Sequence, residues 1–239
     1  TFVQFCAMGS EPSHTLNMAL FRRFGSPGVH AFRVDNHHAS TPHDHLFHEI
    51  VVVERGSARH ITAEGGRGLR PGDVICIRPR IWHAYHDTRR LQIINCLIDV
   101  KLIRQLGPTL AQSPRAFDLF LKRCRDPRRE APLVLHATPA ERSTLVSRLD
   151  RLMAEAQERQ VGWEAIMMGT ALEIIGLTAR LHTDAMTEPT EGPPDRTYQA
   201  VMDASTILEQ RFDQTVTLKE LASQVHLSPG YLSRAFSRQ

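Results

Sequence analysis

The feature that most constrains the fold is a change of hydrophobic period near residue 100. From about Phe21 to Val100 the apolar residues come in short β-rich runs: ALFRRF, VHAFRV, HEIVVVE, ARHITAE, DVICIRP and LQIINCLIDV. Turn signals separate them at Ser26, Pro27 and Gly28, at Gly65 and Gly66, and from Arg70 to Asp73, while Gly66, Arg67 and Gly68 read as a hairpin turn. Many short strands with regular turns predict an antiparallel barrel or sandwich. From about Lys101 the period is helical. Thr138, Pro139 and Glu141 supply cap, proline and capping-box acid in order, ahead of Leu145, Leu149, Leu152 and Ala156 on one face. Gly162 breaks that helix, and Trp163, Ile166, Thr170, Ile174, Leu177 and Leu181 stripe a second one. The two are expected to pack as an antiparallel pair.

A chain of 239 residues with 41% hydrophobic content can bury one sizeable core and a smaller one. No apolar run approaches a membrane span, and TFVQFCAMGS lacks the basic and apolar regions of a signal peptide, so a cytoplasmic protein is expected. Cys6, Cys76, Cys96 and Cys124 are scattered without a C-x-x-C pair, which argues against a thiolate metal site or a disulfide scaffold. The acidic, Pro-rich stretch from Thr183 to Thr197 reads as a linker. The basic run Lys122, Arg123, Arg125, Arg128 and Arg129, interrupted by Asp126 and Pro127, reads as a solvated surface. With a net charge of +3 and a balanced C-terminal segment, bulk electrostatics does not point to nucleic acid.

Eight of the thirteen histidines fall between His37 and His86, so the first half of the chain concentrates its chemistry in one place. On a strand, side chains alternate. His43, His45 and Glu49 therefore share a face, with His48 on the other, and His83 can join them from a later strand. Imidazole with carboxylate suits several divalent ions, Zn, Ni, Fe or Mn among them, and the same polar set could instead contact a small polar effector. His37, His38 and His86 read as rim or surface residues.

The last stretch, TLKELASQVHLSPGYLSRAFSRQ, reads as a helix, a tight turn and the start of a second helix. Thr217 and Glu220 form a capping box, and Leu218, Leu221, Ala222 and Val225 make one apolar stripe. Ser228 caps the second helix, with Pro229 at its first position. There Leu232, Ala235 and Phe236 face inward, while Gly230, Ser233, Arg234, Ser237 and Arg238 form a small, basic outward face suited to base edges and phosphate.

This stretch resembles the first helix-turn-helix of AraC-type transcription regulators, with its Y-L-S-R-x-F string in the recognition helix. The resemblance implies base-facing roles for Gly230, Ser233 and Arg234, a phosphate contact at Arg238, and close helix crossing at Ala222. It also implies a second helix-turn-helix beyond Gln239, so the sequence reads as C-terminally truncated. The spacing H-x-H-x3-E-x6-G from His43 to Gly56 is similar to the first cupin signature. Gly72 and His83 fit the second, which departs at Arg78 and Arg80 where Pro and Gly are usual. The neighbourhood looks most like the rhamnose-responsive branch of the AraC family.

The expected architecture is mixed: an N-terminal antiparallel cupin-like β-barrel (1–100), a helical dimerisation region (101–182), a linker (183–197), and an incomplete all-α helix-turn-helix domain (198–239). The function implied is that of an effector-responsive, sequence-specific transcription regulator, an activator rather than a repressor and not an enzyme. Its partners would be DNA, a small polar effector such as a sugar, and a second copy of the chain. The alternative is a metal-dependent cupin enzyme of dioxygenase or sugar-isomerase type, with His43, His45, Glu49 and His83 as ligands.

Overall fold

The computed structural model describes residues 15–16, 25–122, 130–182, 200, 204, 207, 208, 211 and 216–237. The expected strand ALFRRF, the Thr183–Thr197 linker, the basic run beyond Lys122 and Arg238 lie outside them.

Strands β1 (Thr15–Leu16) and β3 (Asp44–His45) pair in parallel. The main sheet is antiparallel, in the order β2 (Val29–Val34), β7 (Ala84–Ile98), β4 (His48–Thr62), β6 (Asp73–Ile77), β8 (Leu133–His136), with β5 (Gly65–Leu69) also on β4. Its end strands β2 and β8 are not hydrogen-bonded to each other among the described residues, so the expected barrel is not closed. HEIVVVE and ARHITAE are one continuous strand, kinked by register shifts between Val53 and Ser57 and again before Arg59. Gly66, Arg67 and Gly68 belong to β5, and the hairpin turns one step earlier. β8 falls inside the stretch expected to be helical.

Alternation gives the sheet two apolar faces. On the outer one, Val29, Ile50, Val52, Val74, Cys76, Ile94, Cys96 and Ile98 pack against the helices. These are α1 (Val100–Gln105), α2 (Gly107–Leu110), α3 (Pro114–Ala116) with a following π-turn (Phe117–Leu121), α4 (Pro139–Glu158) and α5 (Trp163–Leu181). The pair α4 and α5 forms as the periodicity predicts. Leu145, Leu149, Leu152 and Ile174, however, are spent in this core rather than in a seam left for a second chain. Ion pairs tie α4 down: Arg33 bridges Glu54 on β4 and Asp150, and Arg148 meets Glu173 on α5 at 2.6 Å.

The start of α4 shows how local chemistry sets its place. Thr138 Oγ1 accepts from the Glu141 amide at 3.3 Å, while the Glu141 carboxylate accepts from the Thr138 amide at 2.8 Å. Hydrogen bonds from the Thr138 hydroxyl and amide hold the Glu141 carboxyl below its usual pKa of 4.5. Thr138→Ala should cost about 1 kcal/mol in urea denaturation at neutral pH. Because the native pKa is depressed, the carboxylate's share is present above its unfolded value and lost as pH falls through the native one. The gap between variant and parent should therefore narrow in acid.

Candidate ligand pocket on the inner face

The inner face carries Val51, Val53, Ile75, Ile77, Ile81, Leu91 and Ile93, and beside this apolar patch a set of buried polar groups. Glu49 stands in phase with Val51 and Val53, as alternation from the start of β4 requires. His45 is delivered by β3, and His83 by the loop entering β7. That loop is pinned because the His43 and His83 backbones exchange hydrogen bonds of 3.1 and 3.0 Å, and the Arg80 amide donates to the His45 carbonyl at 2.8 Å. One ligand atom each from His45, Glu49 and His83 lies within 4.8 Å of the others, and all three residues are buried.

The hydrogen bonds set the tautomer. His45 Nδ1 lies 2.7 Å from the Phe47 carbonyl oxygen, which can only accept, so Nδ1 carries a proton and Nε2 is the ring nitrogen left on the Glu49 side. His45 Nε2 is 3.1 Å from Glu49 Oε2, yet it has no partner with hydrogen-bond alignment among the described residues. The contact is close but not aimed. His83 Nε2 is 3.9 Å from the same oxygen, and burial holds the His83 imidazole well below its usual pKa, hence neutral.

Of the four residues expected here, three converge. His43 stands beside them, its ring centroid 4.4 Å from that of His83 and its Nδ1 2.9 Å from the Thr41 carbonyl oxygen. His48 faces outward as expected, against Phe120, with burial driving its pKa down to about 3. The sequence reading missed His60, Tyr85 and Asn95. The His60 ring lies 5.5 Å from His83 and 5.1 Å from Tyr85, with Nε2 unpartnered among the described residues and its pKa pushed down to about 4 by burial. Asn95 Oδ1 is likewise buried without a partner among them. His37, expected at the rim, is half-buried, with its ring 4.7 Å from Tyr85. Native interiors leave few polar atoms unsatisfied, and among the described residues His45 Nε2, His60 Nε2, His83 Nδ1 and Asn95 Oδ1 on this face are such atoms, open to a ligand.

The departures at Arg78 and Arg80 have structural explanations. Arg80 adopts φ 69, the left-handed conformation that favours glycine. Arg78 donates to the Lys122 carbonyl at 2.8 Å and pairs with Glu130, tying the end of β6 to the helical side.

The C-terminal pair forms as read: α6 (Leu218–Gln224) behind the Thr217–Glu220 capping box, then α7 (Pro229–Ser237) with the Tyr231 amide 3.3 Å from Ser228 Oγ. Leu221, Ala222, Val225 and Leu232 share a small core with Ala200 and Ala204. Leu218 is instead 45% exposed, because it sits in the first turn, short of that core. Gly230, Ser233 and Arg234 are exposed together on α7.

A sheet with one face under helices and the other lined by unpaired buried polar groups is the build of a small-molecule binding domain. The chain belongs to the family of AraC-like ligand-binding domains, whose model matches residues 26–175. A curated relative, the HTH-type transcriptional activator RhaS of Mannheimia succiniciproducens, is 39% identical over 56 residues, or 23% of this chain. The match spans only 21% of that relative's length. Among solved structures, ToxT from Vibrio cholerae O395 is similar over 87% of this chain and 73% of its own, at 8% identity and a TM-score of 0.41. The AraC-like transcriptional activator CuxR is similar over 88% of this chain and 67% of its own, at 9% identity and a TM-score of 0.39. These family and sequence relatives are regulators rather than enzymes. No helix among the described residues is long and apolar enough to cross a membrane.

Proposed function

We propose that the chain carries the sensing part of an effector-responsive transcription activator together with a DNA-reading helix pair. The observation that carries this is the family match over residues 26–175, which encloses an inner face holding His45, Glu49, His60, His83 and Asn95. A cluster of several imidazoles, one carboxylate and one amide offers both donors and acceptors, which suits a small hydroxylated molecule such as a sugar. Effector binding biases the sheet between two arrangements and changes how the DNA-reading helices of a homodimer are presented. Gly230, Ser233, Arg234 and Arg238 are the DNA-contacting residues in this reading, and the dimer forms through the outer faces of the helical region.

Calorimetric titration with a panel of sugars and small hydroxylated acids tests the sensing step. At least one should bind saturably, and His60→Leu should weaken it about 5- to 100-fold, since a ligand group that bonded the imidazole would be left buried and unpaired. Failure of the whole panel, or equal affinity in His60→Leu, would count against the inner face as the effector site.

A further inference from the structure

We propose that His45, Glu49 and His83 together bind one divalent transition-metal ion, whose remaining coordination positions face the effector. The inference rests on the effector reading for its second half and on geometry for its first.

The donor atoms are arranged for a shared point rather than for each other. Bonds of about 2.1 Å place two ligand atoms on one ion roughly 3–4.2 Å apart. The distances from Glu49 Oε2 to His45 Nε2 and His83 Nε2, 3.1 and 3.9 Å, fall in that range. A His45–Glu49 ion pair would explain the shorter one only with an N–H pointed at the carboxylate, and that alignment is missing. The Glu49 carboxylate, 8% exposed, lies 3.1 Å from His45 Nε2, which has no aligned partner among the described residues, and 3.9 Å from His83 Nε2, beyond hydrogen-bond reach. A dication between the three would give the carboxylate and both imidazoles a common partner.

The surroundings favour the same conclusion. The Phe47 carbonyl holds His45 Nδ1 at 2.7 Å and leaves Nε2 as the ring nitrogen beside Glu49, the second-partner arrangement that metal-binding imidazoles use. Two imidazoles with one carboxylate select first-row ions such as Zn, Fe, Ni or Co over Mg or Ca, which prefer all-oxygen sites. Three protein ligands leave further coordination positions on the ion, and His60, its ring 5.5 Å from that of His83, has an unpartnered Nε2 nearby among the described residues. An effector offering oxygen donors would complete the shell.

The test uses metal alone, on untagged chain stripped with chelator. Titration with Co(II), followed by visible absorption, should saturate at one ion per chain and be reversed by Zn(II), and Zn(II) should raise the melting temperature. Glu49→Gln, nearly isosteric, should weaken Co(II) at least about 100-fold, since losing even a residue that merely orients a ligand costs 10- to 100-fold. His86→Ala, exposed and away from the triad, should leave binding unchanged. Should Glu49→Gln fail to fold, His83→Asn takes its place. Absence of both the Co(II) band and the Zn(II) stabilisation in the parent chain overturns the proposal, as does binding that survives loss of a ligand. Because no effector enters the experiment, a negative result leaves the effector reading standing, and the sugar panel judges that separately.

Discussion

Gly56→Ala should destabilise the chain by about 2–5 kcal/mol, while Gly65→Ala, nine residues further on, should cost no more than about 1–2 kcal/mol. Both glycines have positive φ, 76 and 108, so both substitutions carry the cost of a left-handed L-residue. They differ in surroundings. A Cβ on Gly56 would lie 2.2 Å from the Arg90 carbonyl oxygen and 2.4 Å from that of Arg89, whereas nothing lies within 4 Å at Gly65. Carbonyls of a paired strand cannot swing aside as a side chain can, so β4 or β7 must shift. The excess is the clash. Read as melting temperature at roughly 2–4 °C per kcal/mol, Gly56→Ala should fall by about 5–15 °C and Gly65→Ala by a few. Equal losses would mean that conformation, not the tight crossing of β4 and β7, is what requires glycine there.

That crossing also explains what the sequence could and could not disclose. VHAFRV and DVICI were legible because each is a short β-rich run next to a turn signal, and α4 and α5 because caps and period agreed. Strict alternation along β4 from Glu49 puts odd-numbered residues inside, which sends His60 to the outer face. The register shifts between Val53 and Arg59 reverse the phase, so Ala58 and His60 turn inward and His60 joins the His83 cluster. A bulge has no period, and nothing in ERGSARH except Gly56 announces one. Asn95 was hidden differently, inside the apolar run LQIINCLIDV, where only its partner strands show which face it takes. His45, Glu49 and His83 could be read because spacing on one short segment and a glycine-opened turn fix them locally. The open edge between β2 and β8 could not, since it depends on how far strands far apart in sequence reach.

On the proposed DNA-reading function, Arg234→Ala should weaken binding to the cognate DNA site about 10- to 100-fold while leaving scrambled DNA nearly unaffected, because one two-pronged guanine contact is worth roughly 1–3 kcal/mol of discrimination. On α7 the buried Leu232 anchors the helix to the small core, which turns Ser233 and Arg234 outward. A Cβ on Gly230 would come 3.7 Å from Arg234 Nη1, so the guanidinium lies back along the helix over a position with no side chain. That keeps the surface low enough for the backbone to approach base edges, with the guanidinium as the longest reach from it. Arg238→Ala should behave otherwise: a phosphate contact carries no sequence information, so its loss should weaken all DNA alike and reduce the salt slope by about one. Mobility shifts of both variants on cognate and scrambled duplexes at two salt concentrations separate the roles. Equal losses on both DNAs for Arg234→Ala, with a shallower salt slope, would make Arg234 a phosphate clamp and move base reading to Ser233 or to another helix.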